Sequence, residues 1–251
     1  MKNIIIDAHA HSGPYYNFYT PKNTIEDMLV SMDNVGIDIC CFTPNISLTN
    51  DISTGNHEVF DIVNNYPKRF KGYIGINPNY KEHIKSDLGK YINNENIIGI
   101  KIHHSCHKAD ISNKNYDYAY SYINEKKGVI LFHTWDMETI KEIERISNKY
   151  RDASIIMGHF GAYEANMKYC GDIINARDNL YGDSCLSFAK EGNIEWLVSL
   201  VGSKKLLFGS DTPFFDPRPN IGRIAYSNLN EADKSDVLGL NMQRILERIQ
   251  K

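Results

Sequence analysis

The chain has 251 residues and a net charge of −3, from 28 Lys and Arg against 31 Asp and Glu. No basic run stands out, which argues against nucleic acid or an anionic membrane surface as partner and points to a small-molecule substrate. Five cysteines without zinc-finger spacing fit a reducing compartment, and neither a signal-peptide pattern nor a bilayer-length apolar run is present, so a cytoplasmic protein is expected.

The first informative stretch comes at once. The apolar run Ile4-Ile5-Ile6 leads into Asp7, His9 and His11, each separated by one alanine. In an extended strand alternate side chains share a face, so these three would point the same way, with two imidazoles close enough to grip one metal ion. A His-x-His pair arises by chance in a chain with 9 His, so its weight comes from the later strands. Three later strand-like runs each end in a metal-competent residue: Gly128 to His133, Ala153 to His159 and Lys205 to Asp211.

Eight short apolar runs rich in branched residues predict strands at Asn3–Ala8, Ile37–Thr43, Gly72–Asn77, Ile98–His103, Val129–His133, Ser154–Gly158, Leu180–Asp183 and Lys205–Ser210. Helical spacing separates them. Thr24–Asp33 places Ile25, Met28, Leu29 and Met32 on one stripe, and Asn56–Val63, Met137–Tyr150 and Ile194–Val201 read the same way. Strand and helix alternating eight times predict an α/β fold, a TIM-type (β/α)8 barrel occupying residues 1–251 as a single domain.

In such a barrel the active site lies at the carboxyl ends of the strands. The four least regular segments, Ser12–Asn23, Pro44–Gly55, Ser105–Asn115 and Asp211–Arg223, all come after predicted strands and are expected as loops on that face. Tyr15, Tyr16, Phe18 and Tyr19 in the first of them either line a pocket for a planar or apolar substrate or cover the barrel mouth. Cys40, Cys41 and Cys185 read most simply as small core residues.

Several motifs now combine: Asp7 to His11, Gly99 to His103, Phe132-His133-Thr134, Gly158 to Gly161 and Phe208 to Pro213. With them the chain resembles the amidohydrolase superfamily, in the amidohydrolase-2 branch that includes the aminocarboxymuconate semialdehyde decarboxylase-like enzymes. The resemblance implies His9, His11, His133 and Asp211 as ligands of one divalent metal ion, with zinc the first choice. It implies Asp211 as general base and His159 as the second catalytic group, bonding the activated water or polarising the reacting oxygen. Lys101 and His103, on one face of the fourth strand, are expected to bind substrate. Lys101 would instead bridge a second metal if it carried a carbamate. Asp7 is expected to support the histidines, Asp183 to reach the pocket rim, and His57, His83, His104 and His107 to lie outside the site. Relatives form dimers through their outer helices, so a homodimer is expected.

Fold and metal do not choose the reaction, because the branch contains both hydrolases and non-oxidative decarboxylases. The leading expectation is a metal-dependent hydrolase acting on an amide or lactone bond through a metal-activated water. The alternative is a metal-dependent decarboxylase of a small aromatic or dienoic carboxylic acid. A non-catalytic metal-binding barrel ranks third.

Overall fold

Runs such as Ile97–Ile102, with five of six residues apolar or glycine and every one buried, form strands covered on both faces. The computed structural model describes residues 4–49, 51–185 and 190–249. It contains eight strands in the order of the chain, each parallel to its neighbour: β1 (Ile6–Ser12), β2 (Ile39–Pro44), β3 (Phe70–Gly75), β4 (Ile97–Ile102), β5 (Val129–His133), β6 (Ser154–Gly158), β7 (Leu180–Asp183) and β8 (Leu206–Leu207). Backbone bonds carry the sheet round to its start. Ala8 N donates to Phe208 O at 2.9 Å, Asp211 N to His9 O at 2.9 Å and His11 N to Thr212 O at 2.6 Å. The expected (β/α)8 barrel is therefore what the chain forms.

Two apolar layers hold it. Inside the barrel Ile6, Tyr73, Ile98, Leu131, Ile156 and Leu207 pack together, joined by Met242 and Ile245 of the helix Asn241–Arg248. Outside it, the other strand faces pack on the surrounding helices, with Phe42, Ile100, Phe132 and Met157 meeting Met28, Val59, Ile123 and Ile143. Among the described residues, no helix is long and apolar enough to cross a membrane.

Boundaries move where local chemistry overrides the apolar pattern. β1 runs on to Ser12, so His9 and His11 lie inside the strand; Asn3, the expected start, lies outside the described residues. Its pairing with β2 shifts register between Asp7 and Ala10, a bulge that the buried Tyr73 hydroxyl braces by donating to Ala8 O at 3.0 Å. β3 begins at Phe70 and has ended before Asn77. β8 shrinks to two residues because the next three N–H groups leave the ladder: Phe208 N donates to Val237 O, Gly209 N to Ser184 Oγ and Ser210 N to Asp7 Oδ1.

The helix expected at Thr24–Asp33 spans Ile25–Val35, since Thr24 caps it reciprocally with Asp27 and Gly36, at φ 80°, ends it. The expected loop Pro44–Gly55 is largely helical, at Asn45–Leu48 and from Ile52, where Asp51 accepts from Thr54 N and starts the helix Ile52–Asn65.

The barrel wall tolerates no side chain at Gly99, where a β-carbon would stand 1.9 Å from the Val129 carbonyl oxygen of the neighbouring strand. Gly99→Ala should lower unfolding free energy by about 3 kcal/mol, at the upper end of overpacking costs. Gly89→Ala, in a helix with open space around the new methyl, should be neutral or slightly stabilising. Urea denaturation midpoints compare the two; equal midpoints would contradict the close strand approach.

Candidate active site

The carboxyl ends of the strands deliver one cluster. His9 and His11 come from β1, Lys101 from β4, His133 and Asp183 end β5 and β7, and His159 and Asp211 lie just beyond β6 and β8. His9, Lys101 and Asp183 are completely buried, and His11, His159 and Asp211 nearly so.

Hydrogen-bond partners fix where the imidazole protons lie. His11 Nδ1 sits 3.1 Å from the Thr43 carbonyl, which can only accept, so Nδ1 carries the proton and Nε2 is a bare lone pair. His9 Nδ1 sits 2.8 Å from Asp183 Oδ2 and is likewise the protonated nitrogen. His159 Nδ1 donates to the Cys185 carbonyl at 3.1 Å, and its Nε2 accepts from His133 Nδ1 at 3.2 Å. The bare Nε2 atoms of His9 and His11 then face Asp211 Oδ1 at 3.7 and 3.4 Å. Burial pushes both imidazoles below the ordinary histidine range, which keeps them neutral. Burial opposes ionisation of Asp211, and its carboxyl falls below the usual range only where the facing rings of His11, His159 and His9 present a donated hydrogen or positive charge to it; neutral rings with their lone pairs turned inward leave that role to a cation.

Three acceptors thus converge with no proton between them. Each unsatisfied buried acceptor costs on the order of 1–3 kcal/mol, and a cation placed among them removes that cost. The cation the chain itself brings is Lys101, whose Nζ donates to His9 Nε2 at 2.7 Å. Burial lowers its pKa to about 8, so it remains mostly charged at neutral pH. One ammonium on His9 leaves the His11–Asp211 contact uncompensated. A set of imidazole nitrogens and a carboxylate oxygen facing inward in this way fits a divalent metal ion.

The backbone is held under strain to make this arrangement. His159 and Asp211 are both left-handed, at φ 63° and 59°, a region non-glycine residues enter at a cost of about 1–3 kcal/mol. Asp183 Oδ1 accepts from His159 N at 2.8 Å and from Cys185 N at 3.2 Å, while its other oxygen holds His9. Asp183, expected only at the rim, is therefore the hub under the site. Gly158 leaves room for the His9 ring: a β-carbon there would lie 3.1 Å from its Cε1 and 2.6 Å from Phe132 O. Asp7 accepts from His9 N at 3.1 Å and from Ser210 N and Oγ, so it supports the site without facing its centre.

Flat rings stand on two sides. His133 is stacked on His103 at 3.9 Å between centroids and lies parallel to Trp135 at 5.7 Å. Across the barrel His11 stacks on Phe214 at 5.2 Å, and Tyr15 and Phe18 pack on that same phenyl at 5.0 and 5.1 Å. Of the four aromatics expected at the mouth, Tyr15 and Phe18 join the site, whereas Tyr16 and Tyr19 are 69% and 86% exposed.

Spacing does not reveal Trp135 or Phe214, although each sits within three residues of a metal-competent residue. Cys185, expected as a core residue, lies with His9, His159 and Asp211 in a group whose potential ligand atoms are all within 4.8 Å of one another. His57 pairs with Asp61 and His83 with Ser53, away from the centre, whereas His104 pairs with Asp136 and lies 6.3 Å, centroid to centroid, from the His133 ring.

A family model described as amidohydrolase matches residues 6–248. The chain belongs to the amidohydrolase-2 family. No curated protein sequence matches this amidohydrolase, but solved structures share its fold at low identity. A 5-carboxyvanillate decarboxylase from Novosphingobium aromaticivorans, complexed with manganese and 4-hydroxy-3-methoxy-5-nitrobenzoic acid, superposes with a TM-score of 0.79 at 13% identity, covering 98% of this chain and 96% of that one. The 5-carboxyvanillate decarboxylase from Sphingomonas paucimobilis gives 0.78 at 12% identity, over 99% and 100%. A protein from Staphylococcus aureus described as a putative amidohydrolase gives 0.78 at 14%, over 98% and 100%.

The hub role of Asp183 has a measurable consequence. In Asp183→Asn an amide N–H would confront the His9 Nδ1–H, and the ring would move its proton to Nε2, the nitrogen that faces the centre. Divalent metal affinity should fall by about 10-fold to 100-fold, as for other groups that orient a ligand. Calorimetric titration of the apoprotein reads this, and unchanged affinity would refute the proton assignment.

Proposed function

We propose that the protein is a metal-dependent non-oxidative decarboxylase of a small aromatic carboxylic acid. The observation that carries this reading is the buried ammonium of Lys101, set beside the acceptor cluster between two groups of flat rings from opposite sides of the barrel. A carboxylate on an aromatic ring matches both features. The decarboxylases of the same fold support the choice by analogy. The hydrolysis that leads the sequence-based expectations has no comparable support.

His9, His11 and Asp211 would hold the divalent ion, with the free Nε2 of His133 completing the set that the family implies. When bound, the ion supplies positive charge that orients the substrate's oxygens and stabilises negative charge developing on them. Manganese stands in the Novosphingobium decarboxylase, and imidazole and carboxylate donors accept manganese as well as zinc.

Lys101 changes partner in this scheme. Once the His9 lone pair is taken, its Nζ turns to the substrate carboxylate, whose burial it offsets by a charge-assisted hydrogen bond. The rings of His103, His133, Trp135 and Phe214 clamp the aromatic plane and exclude water from the bond that breaks. Loss of carbon dioxide leaves an electron pair on the ring carbon, which must receive a proton. Asp211, ionised at rest, first takes a proton from an acidic hydroxyl of the substrate or from water, then gives it to that carbon. His159, with Nδ1 tied to the Cys185 carbonyl and Nε2 accepting from His133 Nδ1, orients the His133 ring so that its other nitrogen faces the centre.

Carbon dioxide release from a panel of hydroxybenzoates, including 2,6-dihydroxybenzoate and 5-carboxyvanillate, tests the reading. Turnover of at least one is expected. Asp211→Asn should lower kcat/KM by about 100-fold or more. Lys101→Met should lower it by roughly 10-fold to 100-fold, the worth of a hydrogen bond to a charged group. Hydrolysis of an amide or lactone without any carbon dioxide release would overturn the proposal in favour of a hydrolase.

A further inference from the structure

Cys185 stands two residues beyond the end of β7 and is fully buried. Its surroundings separate it from the other buried cysteines. Cys40 and Cys170 belong to the outer apolar layer and Cys41 to the inner one, whereas Cys185 belongs to neither. Its Sγ lies instead with a ring nitrogen of His9, a ring nitrogen of His159 and a carboxylate oxygen of Asp211, all within 4.8 Å of one another.

The main chain pins that position from both sides. Cys185 N donates to Asp183 Oδ1 at 3.2 Å, and Cys185 O accepts from His159 Nδ1 at 3.1 Å. The carboxylate that orients His9 thus also places the sulfur, and the imidazole that faces the substrate leans on the same residue. A buried thiol filling space would be expected among apolar side chains. This one is fixed by, and surrounded by, the polar groups of the site.

We infer that Cys185 Sγ is a further ligand of the metal centre, adding a sulfur donor to the imidazole and carboxylate set. The inference rests on the metal-centre reading proposed above. Binding would release the thiol proton to solvent, leaving a thiolate on the ion. Thiolate is a soft donor, so the centre should favour zinc, cobalt or cadmium over manganese.

Cobalt(II) titration of the full-length apoprotein, followed by absorption, tests it. Wild type should show the visible bands of protein-bound cobalt together with a near-ultraviolet sulfur-to-cobalt charge-transfer band. Cys185→Ser should keep the visible bands and lose the charge-transfer band. Cys40→Ser, altered in the outer apolar layer, should keep both. In competition, the preference for zinc over manganese should fall by about tenfold or more in Cys185→Ser, a step of the size seen when metal-site groups are altered.

Zinc-edge X-ray absorption of the wild type gives a reading that needs no variant, with a sulfur scatterer expected near about 2.3 Å. Visible bands without charge transfer in the wild type, a charge-transfer band retained in Cys185→Ser, or no sulfur at the zinc edge would each overturn the assignment and leave the metal centre standing. No cobalt binding by the wild type would overturn the metal centre itself, and this ligand with it.

Discussion

Two neutral imidazole lone pairs and an ionised carboxylate oxygen face one another at the top of this barrel with no proton to share. The rest of the site depends on that constraint. The protons that could have relieved it are directed outward, His11 Nδ1–H to the Thr43 carbonyl and His9 Nδ1–H to Asp183. Buried acceptors in contact repel, and their burial is stable only with positive charge among them. Lys101 brings part of that charge within the chain; in the proposed reading a divalent ion would bring the rest and free Lys101 for substrate.

The barrel makes such an arrangement possible. Strain at His159 and Asp211 persists because both are tied to strands, His159 N to Asp183 and Asp211 N to the His9 carbonyl. The same bond from Asp211 helps close the sheet between β8 and β1, so the proposed metal ligand and the fold's last seam are one structural element. Rings from β5 and the loop after it form one group beside the cluster, and rings from the loops after β1 and β8 form another.

Much of this is legible in the sequence. The eight apolar runs, the metal-competent residue at the end of four of them and the alternation with helices predict the barrel, and His9, His11, Lys101, His159 and Asp211 stand together at its mouth. The features that escape are set by contacts distant in the chain. Asp183 bonds a histidine 174 positions away, and no spacing rule reaches that far. The β1 bulge is braced by Tyr73, and β8 ends after two residues where the next N–H groups turn to Val237, Ser184 and Asp7, partners that lie far off in the chain. Cys185 reads as apolar because its sequence neighbourhood ends a buried strand, although the strand's last residues open onto a polar centre. The proposed reaction also lies beyond the pattern, since part of its support is rings such as Phe214 and Trp135, whose contacts with His11 and His133 are purely spatial.

The most direct test of the central claim is anomalous X-ray diffraction on crystals of the protein purified without chelator, collected on both sides of the manganese and zinc edges. A single peak within about 2.5 Å of His9 Nε2, His11 Nε2 and Asp211, with Lys101 Nζ withdrawn from His9, is the predicted result. No peak after soaking in either metal, with Lys101 still bonded to His9 and water or a proton settling the His11–Asp211 contact, would contradict it.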